Sequence, residues 1–224
     1  MNLLIGIVLT VLLYTGLSKM IKRHAVAAYL LVYAGVTTVV IAQNMGWLRS
    51  MPQWVITVSE YFSRGILTTA TFVVVMYLGV FAKQNAVTKR LFPIRGELSI
   101  IGSLLTITHN VIFGIHYFPQ LFLRPQTMPL RTLAAAGVSV LLLLLLIPLF
   151  ITSFKCIRKK MKAAKWKRLQ RLAYPFFMLI YVHVMILYTA DPEKHLVDCL
   201  IYSVVFIGYA ILRLRRQWLK QRKG

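Results

Sequence analysis

KWKRLQRLAYPFFMLIYVHVMILY (165–188) runs from a basic cluster into a long apolar stretch with one histidine, His183, in its middle. A run of about 20 apolar residues is what crosses the roughly 30 Å hydrocarbon core of a bilayer. The stretch therefore raises two linked questions: how often the chain crosses, and what an imidazole does at that depth. Composition bears on the first. The 224 residues are 58% hydrophobic and 14% charged, and 27 of the charged side chains are Lys or Arg against 5 Asp or Glu. That balance belongs to a polytopic membrane protein and excludes an ordinary soluble domain.

Seven apolar runs are long enough to consider, at about 1–18, 25–43, 62–82, 98–118, 133–154, 172–190 and 197–212. The charges between them alternate. Lys and Arg number 3 after the first run, 4 between the third and fourth, 9 between the fifth and sixth, and 6 in the tail. On the other side there are 2, 2 and 1, so the totals are 22 against 5. Cytoplasmic loops carry the excess of Lys and Arg, so the sequence predicts an all-α bundle of about seven transmembrane helices with the N-terminus outside and the C-terminus cytosolic. The first run lacks a basic n-region and a small-residue cleavage site, so it reads as a retained helix. With connections this short, residues 1–224 form a single transmembrane domain, expected in a cell membrane and specifically a bacterial plasma membrane.

Several functions lose their basis. Cys156 and Cys199 fall at opposite ends of the bundle and sit in neither CxxC nor CxxCH, which removes a thiol–disulfide motif and covalent haem attachment. No GxGxxG, P-loop or GxSxG occurs. No lysine lies mid-helix to carry retinal. Nucleic-acid binding has no folded module to present the charges. The segment KCIRKKMKAAKWKRLQ (155–170) reads first as a topology signal, with docking of anionic membrane lipid or an acidic partner as the alternative.

Lesser features are local. Residues 47–62 place Trp47, Met51, Trp54, Val55, Val58 and Phe62 at helical spacing, an interfacial outer helix leading into the third span. Glu60 and Arg64 are spaced to pair. LLLLLLIPLF (141–150) reads as lipid-facing, and DPEKH (191–195) as an outer turn.

The histidines carry the most information. His109 lies fourteen residues beyond Arg95 and His183 twelve beyond Arg171, on two helices that leave the same basic side. At about 1.5 Å per residue both imidazoles sit roughly 18 Å from that boundary, slightly past the midplane. Two histidines at one depth can share a metal; they can also relay protons or hydrogen-bond between helices. Zinc wants four ligands, and no carboxylate or thiolate lies at that level. A haem iron asks only for axial ligands. Gly102 and Thr106 lie below His109 on its face, and His116 two turns above, nearer the outer surface. His24 sits at a helix end on the basic side.

These residues resemble the ferric reductase-like transmembrane domain family, and within it the haem-binding membrane subunits of the periplasmic methionine sulfoxide reductase system. Trp166, Leu169, Tyr174 and His183 fall at the places of the family's Trp, Leu, Tyr and second His, and IRGELSIIGSLLTITH (94–109) is similar to the segment that ends in its other histidine. The likeness covers roughly 83–212. It implies b-type haem held by His109 and His183. Gln170 stands where the family's Leu-His pair has its histidine, so an inner haem loses a ligand and one haem per chain is expected. If a second is present, His116 and His195 on the outer side are its candidate ligands. Trp166 and Tyr174 are expected to pack and not to react. The chain carries no flavin or nicotinamide module, so electrons would come from a quinol, or from a flavoprotein supplying FMN, and pass to an outer-side redox partner protein. The alternatives are a small proton-coupled transporter using the same histidines, or a non-catalytic membrane scaffold.

Overall fold

A computed structural model of the chain describes residues 1–81 and 85–222. Among these residues all regular structure is helical. In chain order the α-helices are α1 (Asn2–Arg23), α2 (Ala25–Asn44), α3 (Gln53–Ser63), α4 (Ile66–Phe81), α5 (Ala86–Leu91), α6 (Arg95–Leu123), α7 (Leu130–Ser153), α8 (Lys155–Lys160), α9 (Ala163–Gln170), α10 (Ala173–Tyr188) and α11 (Pro192–Gln221). Six spans are long and apolar enough to cross a membrane as they stand. The pair α3–α4 meets that test together, as one segment bent by 52°. The protein is an all-α membrane bundle. Lys83, where the haem-family likeness was taken to begin, lies outside the described residues.

Two boundaries differ from expectation, for identifiable reasons. The seventh span is not a short 197–212 helix but runs from Pro192 to Gln221. Proline is preorganised for a first helical position, and Glu193 in the first turn meets the positive end of the helix dipole. The sequence DPEKH is therefore mostly helix, and His195 sits on a rigid element. The run 141–150 is lipid-facing on one side only. Leu141, Leu144 and Ile147 are exposed, whereas Leu146 and Leu149 are buried, which is the three-residue spacing of a helix with one packed face.

Exposed and buried residues are arranged as lipid requires. Large apolar side chains such as Leu12, Leu30 and Val204 face outward, while the helix contacts combine large apolar residues such as Phe177 and Phe206 with small or polar ones such as Ala70, Thr71 and Thr108. At the centre is α4, with 12 of its 16 residues buried, so it contacts helices on every side. Its run TTATFVVVM is short and β-branched, which lets neighbours approach closely. Tyr14 of α1 meets Thr71 of α4 at 3.0 Å, and the Tyr77 hydroxyl of α4 donates to the Val205 carbonyl of α11 at 2.7 Å. One core cluster joins α4 to α7, α10 and α11, and a second joins it to α1, α2 and α6.

Arginines fasten the basic end. Arg95 Nε donates to the Val75 carbonyl at 2.8 Å, and Arg216 donates to the Gly79 and Val80 carbonyls near the last turn of α4. Carbonyls there lack helical partners, so a cation is well placed. In the first core cluster Phe177 is fully buried and stacks on Phe206 with ring centres 4.3 Å apart. Phe177→Ala leaves a void without changing the apolar surroundings, so the packing loss dominates over transfer from water. We expect destabilisation on the order of 2 kcal/mol, read as a lowered detergent-unfolding midpoint.

Candidate functional site

The imidazoles of His109 (α6) and His183 (α10) face each other, with ring centres 6.2 Å apart and planes at 87°. The depth match read from the sequence is realised as contact geometry. Each ring is held by its inner nitrogen. His109 Nδ1 lies 3.0 Å from the Ser63 carbonyl, and His183 Nδ1 lies 3.2 Å from the Ala135 carbonyl, with Ser139 Oγ at 3.4 Å. A carbonyl oxygen can only accept, so Nδ1 carries the proton in both rings and Nε2 keeps its lone pair. This backbone-to-imidazole bond is the arrangement that orients a histidine as a metal ligand.

Local sequence builds these partners. Ser63 ends α3 and Gly65 starts the turn into α4, with a left-handed φ of 72°. A Cβ at Gly65 would stand 3.5 Å from His109 Nδ1, so the backbone passes directly behind the ring. The 52° bend of the third span therefore carries the carbonyl to His109. On the other side, the small residues of AAAGVSV in α7 leave the Ala135 carbonyl and Ser139 open to His183.

Two cavities flank the pair. One of about 120 Å³ extends toward the basic end between Thr68, Thr69 and Phe72 of α4 and Leu142 and Leu146 of α7. The other, of about 340 Å³, extends toward the far end past Phe113, Tyr117, Tyr188 and His195. Both include His109, Asn110, Ser139 and His183 in their walls. Together they form a slot between α6 and α10.

The donor set fits an axial pair. Two Nε2 ligands on opposite sides of one metal place the ring centres roughly 6 Å apart, from two bonds of about 2.0–2.1 Å and two ring radii. Among the described residues no three His, Cys, Asp or Glu side chains gather to hold an ion. A bare zinc would thus lack its usual four protein ligands, whereas a porphyrin brings four nitrogens of its own. The residues present fit a haem.

The other expected residues distribute differently. His195 reaches the far cavity and stacks on Tyr188 at 4.6 Å with planes 7° apart. His116 is exposed and lines neither cavity. It stands seven residues beyond His109, only about 20° around α6 from it, so its distance of roughly 10 Å along the axis and not its rotation separates it from the pair. His24 is exposed between α1 and α2. Trp166 donates to the Thr152 carbonyl at 3.1 Å under the Arg158 guanidinium, and Tyr174 accepts from Arg213. Both pack, and neither lines the histidine slot. Gln170 donates to Thr152 Oγ1 at 3.1 Å, fastening α9 to α7. Gly102 serves α4: a Cβ there would stand 3.1 Å from Thr71. Glu60 and Arg64 pair at 2.9 Å as their spacing indicated. Ser63, Gly65, Ala135 and Ser139 had no sequence signal as site residues, since two of them act through backbone carbonyls.

No family model matches the chain, and no solved structure matches it. An uncharacterized protein of Treponema pallidum (strain Nichols) is 33% identical over 228 residues, an alignment that takes in all of this chain and 62% of that protein. The chain thus spans less than two-thirds of the length of this relative.

Proposed function

We propose that the chain is a membrane b-type cytochrome of the ferric reductase-like kind, passing electrons from a quinol or flavoprotein donor to an acceptor on the outer side of a bacterial plasma membrane. The observation that carries this is the facing pair His109–His183 at 6.2 Å, each with Nδ1 tied to a backbone carbonyl. When bound, a haem supplies a one-electron iron couple within the membrane. His109 and His183 would hold the iron through Nε2, since Nδ1 of each ring is bonded to a backbone carbonyl. The Ser63 and Ala135 carbonyls keep both rings in the ligating tautomer and raise their basicity. The apolar walls at Phe72, Leu142 and Leu146 keep water from the slot, and the basic end lies in the cytosol by the positive-inside rule.

One haem per chain follows from the basic end. Gln170 is an amide bonded to Thr152, and His24 is exposed, so no imidazole pair forms there. Purified protein from haem-replete cells should show a low-spin b-type spectrum, oxidised and then dithionite-reduced. Acidified organic solvent should release the haem, and pyridine haemochrome should count one per chain. A colourless protein would overturn the proposal in favour of a proton-coupled transporter built on the same histidines. A ratio of two would turn attention to His195 and His116.

A further inference from the structure

The basic end of the bundle holds another cavity, of about 480 Å³, which adjoins the histidine slot and shares Phe72, Leu146 and Phe176 with it. Its deep wall is apolar, formed by Met76, Ile100, Leu149 and Phe176, and its rim carries Arg95, Glu97, Lys155 and Arg158. The carboxylate is already matched: Glu97 is 4% exposed and pairs with Lys155 at 2.6 Å. Arg95 donates Nε to the Val75 carbonyl, and its terminal nitrogens lie beside Gly79 of α4. The Arg158 guanidinium carbon lies 4.3 Å from the centre of the Trp166 ring. Three cations against one carboxylate leave the lining with two excess positive charges. Val26, which shares the lining, is 69% exposed on the lipid-facing surface of α2. Lys155 and Arg158 are exposed and Arg95 is half-buried, so the excess charge sits at the mouth of the cavity, where an anionic group complements it.

We propose that this cavity binds one anionic phospholipid, with its phosphate between Arg95 and Arg158 and an acyl chain along the apolar wall. Guanidinium groups match phosphate oxygens in a bidentate fork, and basic pockets between membrane helices select anionic head groups. A zwitterionic lipid brings its own cation and leaves the excess unmatched. Free phosphate supplies the charge and nothing for the apolar wall. The site uses neither His109 nor His183.

Native mass spectrometry of detergent-purified protein, exchanged into equal phosphatidylglycerol and phosphatidylcholine, tests this. Wild type should keep one phosphatidylglycerol per chain, preferred by about tenfold, and inorganic phosphate should not displace it. A Cβ at Gly96 meets the Ser153 carbonyl at an ordinary 3.9 Å, so Gly96→Ala should retain the lipid while Gly96→Trp fills the cavity and loses it. Should Gly96→Trp fail to fold, Arg158→Gln on an exposed residue carries the test, with an expected several-fold loss of preference. Arg215→Gln, exposed and outside the cavity, should change nothing. Equal retention of both lipids, displacement by phosphate, or unchanged binding in a folded Gly96→Trp or in Arg158→Gln would each overturn the proposal.

Discussion

Alanine at His109 or at His183 is expected to leave the protein colourless, with haem per chain falling from one to near zero. The two imidazoles have ring centres 6.2 Å apart, and among the described residues no third His, Cys, Asp or Glu gathers with them to hold an ion. With one ring removed, a single histidine would have to hold the group, so its affinity should fall steeply. Each remaining ring keeps its own carbonyl, Ser63 or Ala135, so the bundle should stay folded. Its unfolding midpoint should move far less than its haem content. His116→Ala should keep full haem, because that side chain is exposed and lines neither cavity. The measurements are a dithionite difference spectrum and a pyridine haemochrome on each variant. Full haem in both His109→Ala and His183→Ala would remove these residues as ligands.

The second large effect is expected at Gly65. Its φ of 72° lies in the left-handed region, where a Cβ costs about 1–2 kcal/mol and a β-branched residue more. A Cβ there already stands 3.5 Å from His109 Nδ1 and 3.6 Å from Cγ, so the methyl groups of valine have the ring in their way. Gly65→Val should cost roughly 2–3 kcal/mol of stability and swing His109 away from the Ser63 carbonyl. Haem content should fall severalfold and residual haem should turn high-spin. Gly65→Ala should show the stability loss with most haem retained, because Ala reaches ordinary contact distance only. Wild-type stability and spectrum in Gly65→Val would mean that the turn does not position the ring.

The sequence alone carried the architecture because membranes impose one-dimensional rules. Apolar length sets spans and the 22-to-5 alternation of cations orders them, so the six long spans and the bent α3–α4 pair were legible before any contact was known. Depth is linear along a helix, which is why His109 and His183 could be matched by counting from Arg95 and Arg171. Rotation about each helix is not linear in the same way. Whether the two rings faced each other, and whether His116 joined them, depended on how α6 and α10 pack against α4 and α7. The Ser63 and Ala135 carbonyls that fix the ligating tautomer were invisible, because a backbone acceptor has no residue type. They reach the rings only through the bend at Gly65 and the small-residue face of α7, and those are products of tertiary packing.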